Sequence, residues 1–175
     1  MAGPLVTPER PLVLGIDPGL RVCGWGVVLG GAKPSFVAGG VIRPRQRDTL
    51  PQRLLSLHDE MTRIVAEHGP SELAIEDPFI GALAPASALA IGQARAVALL
   101  VAAQAGIEAA LYAPAAVKAA VSGYGASDKR QVQSMVRLLL GLDADPEPAD
   151  AADALAVALC HLGQRRTRAM ASASR

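Results

Sequence analysis

The segment Leu12-Val13-Leu14-Gly15-Ile16-Asp17-Pro18-Gly19 sets the framework for the whole chain. Its apolar run is typical of a buried β-strand, and the Pro18-Gly19 pair ends that strand. The strand therefore delivers a carboxylate, Asp17, to its carboxyl end. An aspartate before Pro-Gly is also common in ordinary turns, so this segment alone leaves the role of Asp17 open.

The sequence after this strand predicts a sheet of mixed direction. Apolar segments at 23–29 and 36–42, separated by a glycine-rich turn, predict two more strands and an antiparallel meander. The apolar spacing becomes helical from Thr49, and Gly69-Pro70 ends that helix. The remaining predicted elements are a strand at 73–76, a helix at about 86–105, a strand at 107–112, a short helix from 114, a helix ending at 140 and a helix at 149–162. This order predicts an α/β fold with a five-stranded mixed sheet and helices on both faces.

Length and composition indicate one soluble domain. The chain has 175 residues, of which 51% are hydrophobic, and it lacks an apolar run long enough to span a bilayer. No secretion-signal pattern precedes the first strand, so we predict a cytoplasmic protein without a membrane partner. We expect a disordered arm at residues 1–11, a folded domain at 12–163 and a disordered basic tail at 164–175. The net charge of +1 neither supports nor excludes a nucleic-acid partner.

Four carboxylates fall at positions where they can converge. Asp17 and Glu76 end predicted strands, and Asp150 and Asp153 lie three residues apart on one face of the last helix. Carboxylates at strand ends in an apolar sheet are costly unless they are paired or bind a cation. Three or four convergent acids can hold two Mg²⁺ ions that stabilise the attacking and leaving oxygens of a phosphodiester. Each acid alone has an ordinary alternative, as a turn residue, an ion-pair partner, a helix cap or a first-turn acid, but their ordered pattern favours the metal site.

Six short segments, taken together, carry a family resemblance. They are 14–19 with the following Gly24-x-Gly26, 74–76, 91–96, 117–125, 131–136 and 150–156. In this order they resemble the RuvC family of Holliday junction resolvases. No single segment is specific, but the set extends over about 140 residues, from Leu12 to His161.

The resemblance implies a ribonuclease H-like fold and a homodimeric endonuclease that resolves Holliday junctions in recombination and repair. Asp17, Glu76, Asp150 and Asp153 would be its catalytic acids and would bind two Mg²⁺ or Mn²⁺ ions per active site. Cleavage would leave a 5′ phosphate and a 3′ hydroxyl without a covalent enzyme intermediate. The two-fold axis of a dimer would place two cuts symmetrically in a four-way junction. A branch-migration motor complex is a further partner that the resemblance implies.

Four further residues match or adjoin positions that the family uses near DNA. Lys118 and Lys129 match two of these positions, where an ammonium can bind a phosphate or stabilise developing charge; Lys118 is also a candidate catalytic residue. Arg130, beside Lys129, is a candidate for contact with the same DNA backbone. Phe79 stands where the family has an aromatic residue that stacks on an unpaired base. Before it, Asp77-Pro78 departs from the amide and apolar residue of many relatives. Asp77 is an extra acid that could join the metal site, but we expect it to face solvent or to cap the turn.

Three other interpretations fit parts of the pattern. The Gly-Ile-Asp-Pro-Gly segment is similar to the first phosphate loop of actin-like ATPases and sugar kinases, but those proteins need a second lobe and another glycine-rich turn. A related small nuclease that processes ribosomal RNA is the second alternative, and the segment Gly92-Gln93-Ala94-Arg95 with the Asp-Ala-Ala-Asp ending argues against it. The third is a junction-binding protein without catalysis, against which the presence of all four acids argues.

Overall fold

The computed structural model describes residues 10–78 and 84–173 of the chain. They form five strands and five helices in an order close to the one predicted. The elements are β1 (Leu12–Asp17), β2 (Cys23–Leu29), β3 (Ser35–Ile42), α1 (Leu50–His68), β4 (Glu72–Glu76), α2 (Pro85–Ala105), β5 (Glu108–Tyr112), α3 (Pro114–Ser122), α4 (Lys129–Leu140) and α5 (Ala149–Ala173).

The sheet has the order β3-β2-β1-β4-β5. Its first three strands form the predicted antiparallel meander, whereas β4 runs parallel to β1 and β5 runs parallel to β4. Ile16 is paired with Ile75, so β1 and β4 end side by side. Because the carboxyl ends of parallel neighbours share one edge of the sheet, Asp17 and Glu76 are brought to the same edge.

Helices cover both faces of the sheet, as predicted. Alternate residues of β1 point to opposite faces, because side chains along a strand have a period of two. Val13 belongs to the core packed under α3, α4 and α5, whereas Leu14 and Ile16 belong to the core packed under α1 and α2. Asp17 has the parity of Val13 and therefore lies on the α5 face. The alternation thus places the first acid under the helix that carries two others.

Three glycines let α5 lie directly on the central strands. A Cβ atom at Gly15 would overlap the carbonyl oxygen of Ala154, and one at Gly24 would overlap the carbonyl oxygen of Asp150. A Cβ at Gly26 would lie 2.6 Å from the Leu155 side chain. Only residues without a Cβ permit this approach of helix backbone to strand backbone. The glycines therefore fix the depth at which the first turns of α5 meet the end of β1.

The carboxyl-terminal end of the chain differs from the prediction. Helix α5 does not end at Leu162 but continues to Ala173, so the prediction of a disordered tail from residue 164 is wrong for residues 164–173. Contacts to distant parts of the fold hold this extension, with Arg165 Nε 3.1 Å from Glu72 Oε1 and Arg166 donating to the carbonyl of Ala32 at 2.8 Å. Of the predicted arm at 1–11, residues 1–9 lie outside the described part, as do residues 174–175 at the other end.

Candidate active site

Three of the predicted acids form a compact cluster at the end of β1. One carboxylate oxygen from each of Asp17, Asp150 and Asp153 lies within 4.8 Å of the other two. Asp150 and Asp153 belong to the first turns of α5, where their spacing puts both on the face that looks at the sheet. Glu76, at the end of β4, is hydrogen-bonded to the Asp17 carboxyl group. All four side chains are half-buried, so the sequence-distant acids share one partly desolvated site.

The electrostatics of the cluster are unfavourable without a cation. Burial, together with the neighbouring charges of Glu76, Asp153 and Asp150, raises the pKa of Asp17 from 3.8 to about 8, and burial is the largest of these causes. Burial is also the largest cause of the raised pKa of Glu76. In the folded protein without a cation, these carboxyl groups are therefore harder to ionise than they are in water. A bound divalent cation would reverse that preference, because it supplies the missing positive charge.

The donor set fits a hard divalent metal ion. Every candidate ligand is a carboxylate oxygen, which is the donor that Mg²⁺ and Mn²⁺ prefer over nitrogen or sulfur. The three clustered oxygens are close enough to share one ion, and Glu76 adjoins them through Asp17. The raised pKa of Asp17 is a second observation in favour of a cation at this place. The site can thus hold metal with the residues that the sequence singled out.

Two lysines extend the site on the side of α3 and α4. The Lys129 Nζ atom lies 2.6 Å from Asp153 Oδ2, and this contact raises the pKa of Lys129. The charges of Lys118, on α3, and of Lys129 both lower the pKa of Glu76, in opposition to its burial. The structure therefore brings Lys129 into contact with the acids, and it places Lys118 near enough for its charge to act on Glu76. Arg130 is exposed at the next position of α4.

The segment between α3 and α4 is braced so that both lysines keep their places. Asp128 caps α4 by accepting a hydrogen bond from the backbone of Gln131 at 2.9 Å, and the Gln131 side chain accepts one from the backbone of Asp128 at 3.1 Å. This reciprocal capping fixes the start of the helix, where Lys129 stands. At the end of α3, Ser122 donates to the carbonyl of Lys118 at 2.7 Å and lies 2.7 Å from the hydroxyl of Ser127.

Sequence reasoning missed the role of Asp77. This residue neither faces solvent nor caps a turn, but forms a half-buried ion pair with Arg95 on α2. Its backbone also donates to the carbonyl of Tyr112 at 2.8 Å, which extends the β4–β5 pairing past Glu76. The signal was present, because Arg95 lies in one of the six family-like segments. The predicted base-stacking residue Phe79 follows shortly after and lies outside the described residues.

Comparison with protein families gives one match that covers most of the chain. The family model for crossover junction endodeoxyribonuclease RuvC matches residues 13–161. Crossover junction endodeoxyribonuclease RuvC of Rhodopseudomonas palustris is 48% identical over 162 residues, which cover 91% of this chain and 92% of the relative. The protein of the same name from Maricaulis maris is 48% identical over 163 residues, covering 93% of this chain and 96% of its own.

Comparison with solved structures identifies the same family. RuvC of Thermus thermophilus, in complex with a Holliday junction substrate, superposes with a TM-score of 0.83 at 34% identity, over 90% of this chain and 96% of that one. The match confirms the predicted ribonuclease H-like fold. The crystal structure of the yeast mitochondrial Holliday junction resolvase Ydc2 has a similar fold, with a TM-score of 0.63 at 13% identity.

Proposed function

Because the chain belongs to the RuvC family of crossover junction endodeoxyribonucleases, we propose that it cuts four-way DNA junctions at the acidic cluster of Asp17, Glu76, Asp150 and Asp153. The observation that carries this proposal is the convergence of carboxylates from two strand ends and one helix within 4.8 Å for three of them. The reaction is hydrolysis of a phosphodiester, which leaves a 5′ phosphate and a 3′ hydroxyl. Such a reaction serves recombination and repair, and it takes place in the cytoplasm, where a bacterial chromosome lies.

The four acids hold the metal in this proposal. We assign Mg²⁺ or Mn²⁺, two ions per site, to the cluster. When bound, such ions activate a water molecule and offset negative charge on the leaving oxygen. Asp17 stands between Glu76 on one side and the two acids of α5 on the other, so its carboxylate is the one that can contact both parts of the cluster.

Lys118 and Lys129 serve the DNA phosphate. Both ammonium groups lie beside the acids, and they are two of only three lysines in the chain. In the free protein the Lys129 ammonium is paired with Asp153, and with a cation held by the acids it would be available to a phosphate oxygen. Lys118 stabilises the charge that develops on the scissile phosphate, while Arg130 and Phe79 contact the DNA backbone and an unpaired base farther out.

A homodimer formed through α2 supports paired cleavage. By length and apolar composition α2 could cross a membrane, yet less than a third of its most apolar window is buried in this fold. It packs on α1 and leaves Leu89 and Leu100 exposed by more than half, while Leu111 on the edge strand β5 is exposed by 46%. A second copy placed on this face would cover these leucines. Two-fold symmetry then presents two acidic clusters to two strands of one junction, and a branch-migration motor is a further proposed partner.

Separating binding from cleavage tests this assignment. We expect Asp17→Asn to bind a synthetic four-way junction at least as tightly as the wild type, because less negative charge faces the phosphate, and to lose cleavage in Mg²⁺ and Mn²⁺. Asp59→Asn is the matched control, since the same change is made on the exposed face of α1. Cleavage by the Asp17→Asn variant at the wild-type rate would contradict the assignment. Cleavage of RNA in preference to the junction would favour the RNA-processing alternative.

A further inference from the structure

A second concave site lies at the end of the molecule away from the acids. It is a cavity of about 860 Å³ between the turn that joins β2 to β3, the residues that precede β1, and the last part of α5. Arg166, which lines it, follows Asp153 by thirteen positions on the same helix. At a rise of about 1.5 Å per residue the two lie about 20 Å apart along the helix axis. The cavity is therefore separate from the cluster that performs the proposed cleavage.

The chemistry of the cavity is an apolar floor with a basic rim. Leu139, Leu159 and Leu162 line the cavity, and the buried Leu159 and Leu162 form its floor. Four cationic residues line the same cavity, and they are Arg10, Lys33, Arg165 and Arg166. Among the described residues, no aspartate or glutamate and no aromatic side chain lines it. Glu72 partly neutralises Arg165 from the neighbouring strand, which leaves an excess of positive charge at the rim.

Two of the guanidinium groups are held in place by the β2–β3 turn. Arg10 Nε donates to the carbonyl of Gly30 at 3.3 Å, and Arg166 donates to the carbonyl of Ala32 at 2.8 Å. A guanidinium has five N–H donors, so each of these side chains keeps others that can bind an anion. A cation that is already ordered loses less conformational entropy on binding than a free one. The carboxyl-terminal extension of α5 thus builds a rim that a disordered tail could not form.

We propose that this cavity binds an acidic peptide segment of a partner protein, anchored by a large apolar side chain on the leucine floor. Charge complementarity selects the carboxylates, and the floor selects the apolar anchor. A nucleic-acid strand fits less well, because its phosphates make no use of an apolar floor and the lining offers no aromatic ring for its bases to stack on. The site is independent of the proposed nuclease activity and would let the protein be recruited while its acids act on DNA.

The test is direct binding of a defined peptide to the full chain. A fluorescein-labelled peptide of four aspartates followed by leucine and phenylalanine is titrated with protein, and fluorescence anisotropy is recorded. We expect Lys33→Glu with Arg166→Glu to raise the peptide Kd about tenfold or more, and Lys33→Glu alone to raise it about threefold. Arg63→Glu, on the exposed face of α1, is the matched control and should leave the Kd unchanged. Junction cleavage should persist in all of these variants.

Several results would overturn the proposal. The wild type could fail to bind the peptide, or bind equally well a peptide with serines in place of leucine and phenylalanine. Peptide binding that survives the double charge reversal would place the binding elsewhere. A linear DNA duplex that binds the wild type, loses affinity in the double variant and displaces no peptide would identify the rim as a DNA contact. Thermal unfolding of the Lys33→Glu variant, which replaces an exposed side chain, is measured beside the titration. A Tm equal to that of the wild type shows that lost peptide binding does not come from misfolding.

Discussion

Replacing Asp17 with asparagine should have opposite effects on stability with and without metal. In chelator the folded chain must keep a proton on Asp17 that the unfolded chain releases, because the folded pKa is about 8 and the ordinary value is 3.8. At about 1.4 kcal/mol per pKa unit, this proton uptake costs the folded state at most about 4 kcal/mol at pH 7. Asparagine avoids that cost. For a chain of this size the difference amounts to a Tm higher by up to roughly 10 °C.

The pH dependence gives the same prediction with a definite sign. A carboxyl group whose pKa is raised on folding makes the free energy of unfolding fall as pH rises from about 4 to about 8, because the unfolded state loses its proton first. The wild type in chelator should therefore lose stability across this window, whereas Asp17→Asn should show a shallower slope. Saturating Mg²⁺ should raise the wild-type Tm more than that of the variant, because a ligand to the ion has been removed.

Differential scanning calorimetry at several pH values, in chelator and in Mg²⁺, measures all three effects. The control is Asp59→Asn on the exposed face of α1, which should keep the wild-type response to Mg²⁺ and change the pH dependence only slightly, through its ion-pair partner His58. A variant that is less stable than the wild type in chelator at pH 7 would refute the reasoning. It would mean that the Asp17 carboxylate is stabilised by its surroundings in the free protein, and that the cluster does not require a cation.

Three other substitutions probe the frame of the site. Gly15→Ala should lower the free energy of unfolding by at least about 2 kcal/mol and impair cleavage, because its methyl group meets the backbone of α5. The control is Gly163→Ala on α5 itself, which has open space around it and should be neutral or stabilising. Equal chemical-denaturation midpoints for the two variants would contradict this. Lys118→Ala should slow single-turnover junction cleavage by about a hundredfold with little loss of binding, whereas the control Lys33→Ala should cleave at the wild-type rate. An unchanged rate for Lys118→Ala would show that Lys118 is only a surface residue. His161→Phe should lower the free energy of unfolding by about 1–3 kcal/mol, because the buried Tyr112 hydroxyl loses its hydrogen bond to the ring and the half-buried Glu72 is left with Arg165. Calorimetry that shows no loss would mean that the His161 contacts contribute nothing.

Local patterns were sufficient for the central part of the site. The apolar run before Asp17 and the one before Glu76 each identified a strand end, and parallel pairing of these strands brings the two acids together. The spacing of Asp150 and Asp153 identified one helix face. These inferences hold because strand alternation, helix period and turn residues are properties of short segments. The packing of α5 against particular glycines could not be predicted from the sequence, because it depends on how this helix crosses β1 and β2.

Long-range contacts account for what the sequence did not reveal. Residues 164–173 are small and basic, a composition that resembles a disordered tail, yet they continue α5. One of the contacts that fix them joins residues 134 positions apart in the chain. The Asp77–Arg95 pair is similar, since a charge beside a proline is usually solvated and its partner stands on another element. Tertiary contacts of this kind override local composition, and no segment of the sequence contains them.

Cleavage of a labelled four-way junction tests the central claim most directly, with a linear duplex and a single strand as parallel substrates and Mg²⁺, Mn²⁺ or chelator in the buffer. The account predicts paired, symmetrically related cuts in the junction alone, dependent on metal, with ends that DNA ligase can seal. Tight binding of the junction without cutting in either metal would contradict it and identify a binding protein, and cutting in chelator would show that the acidic cluster works without a cation.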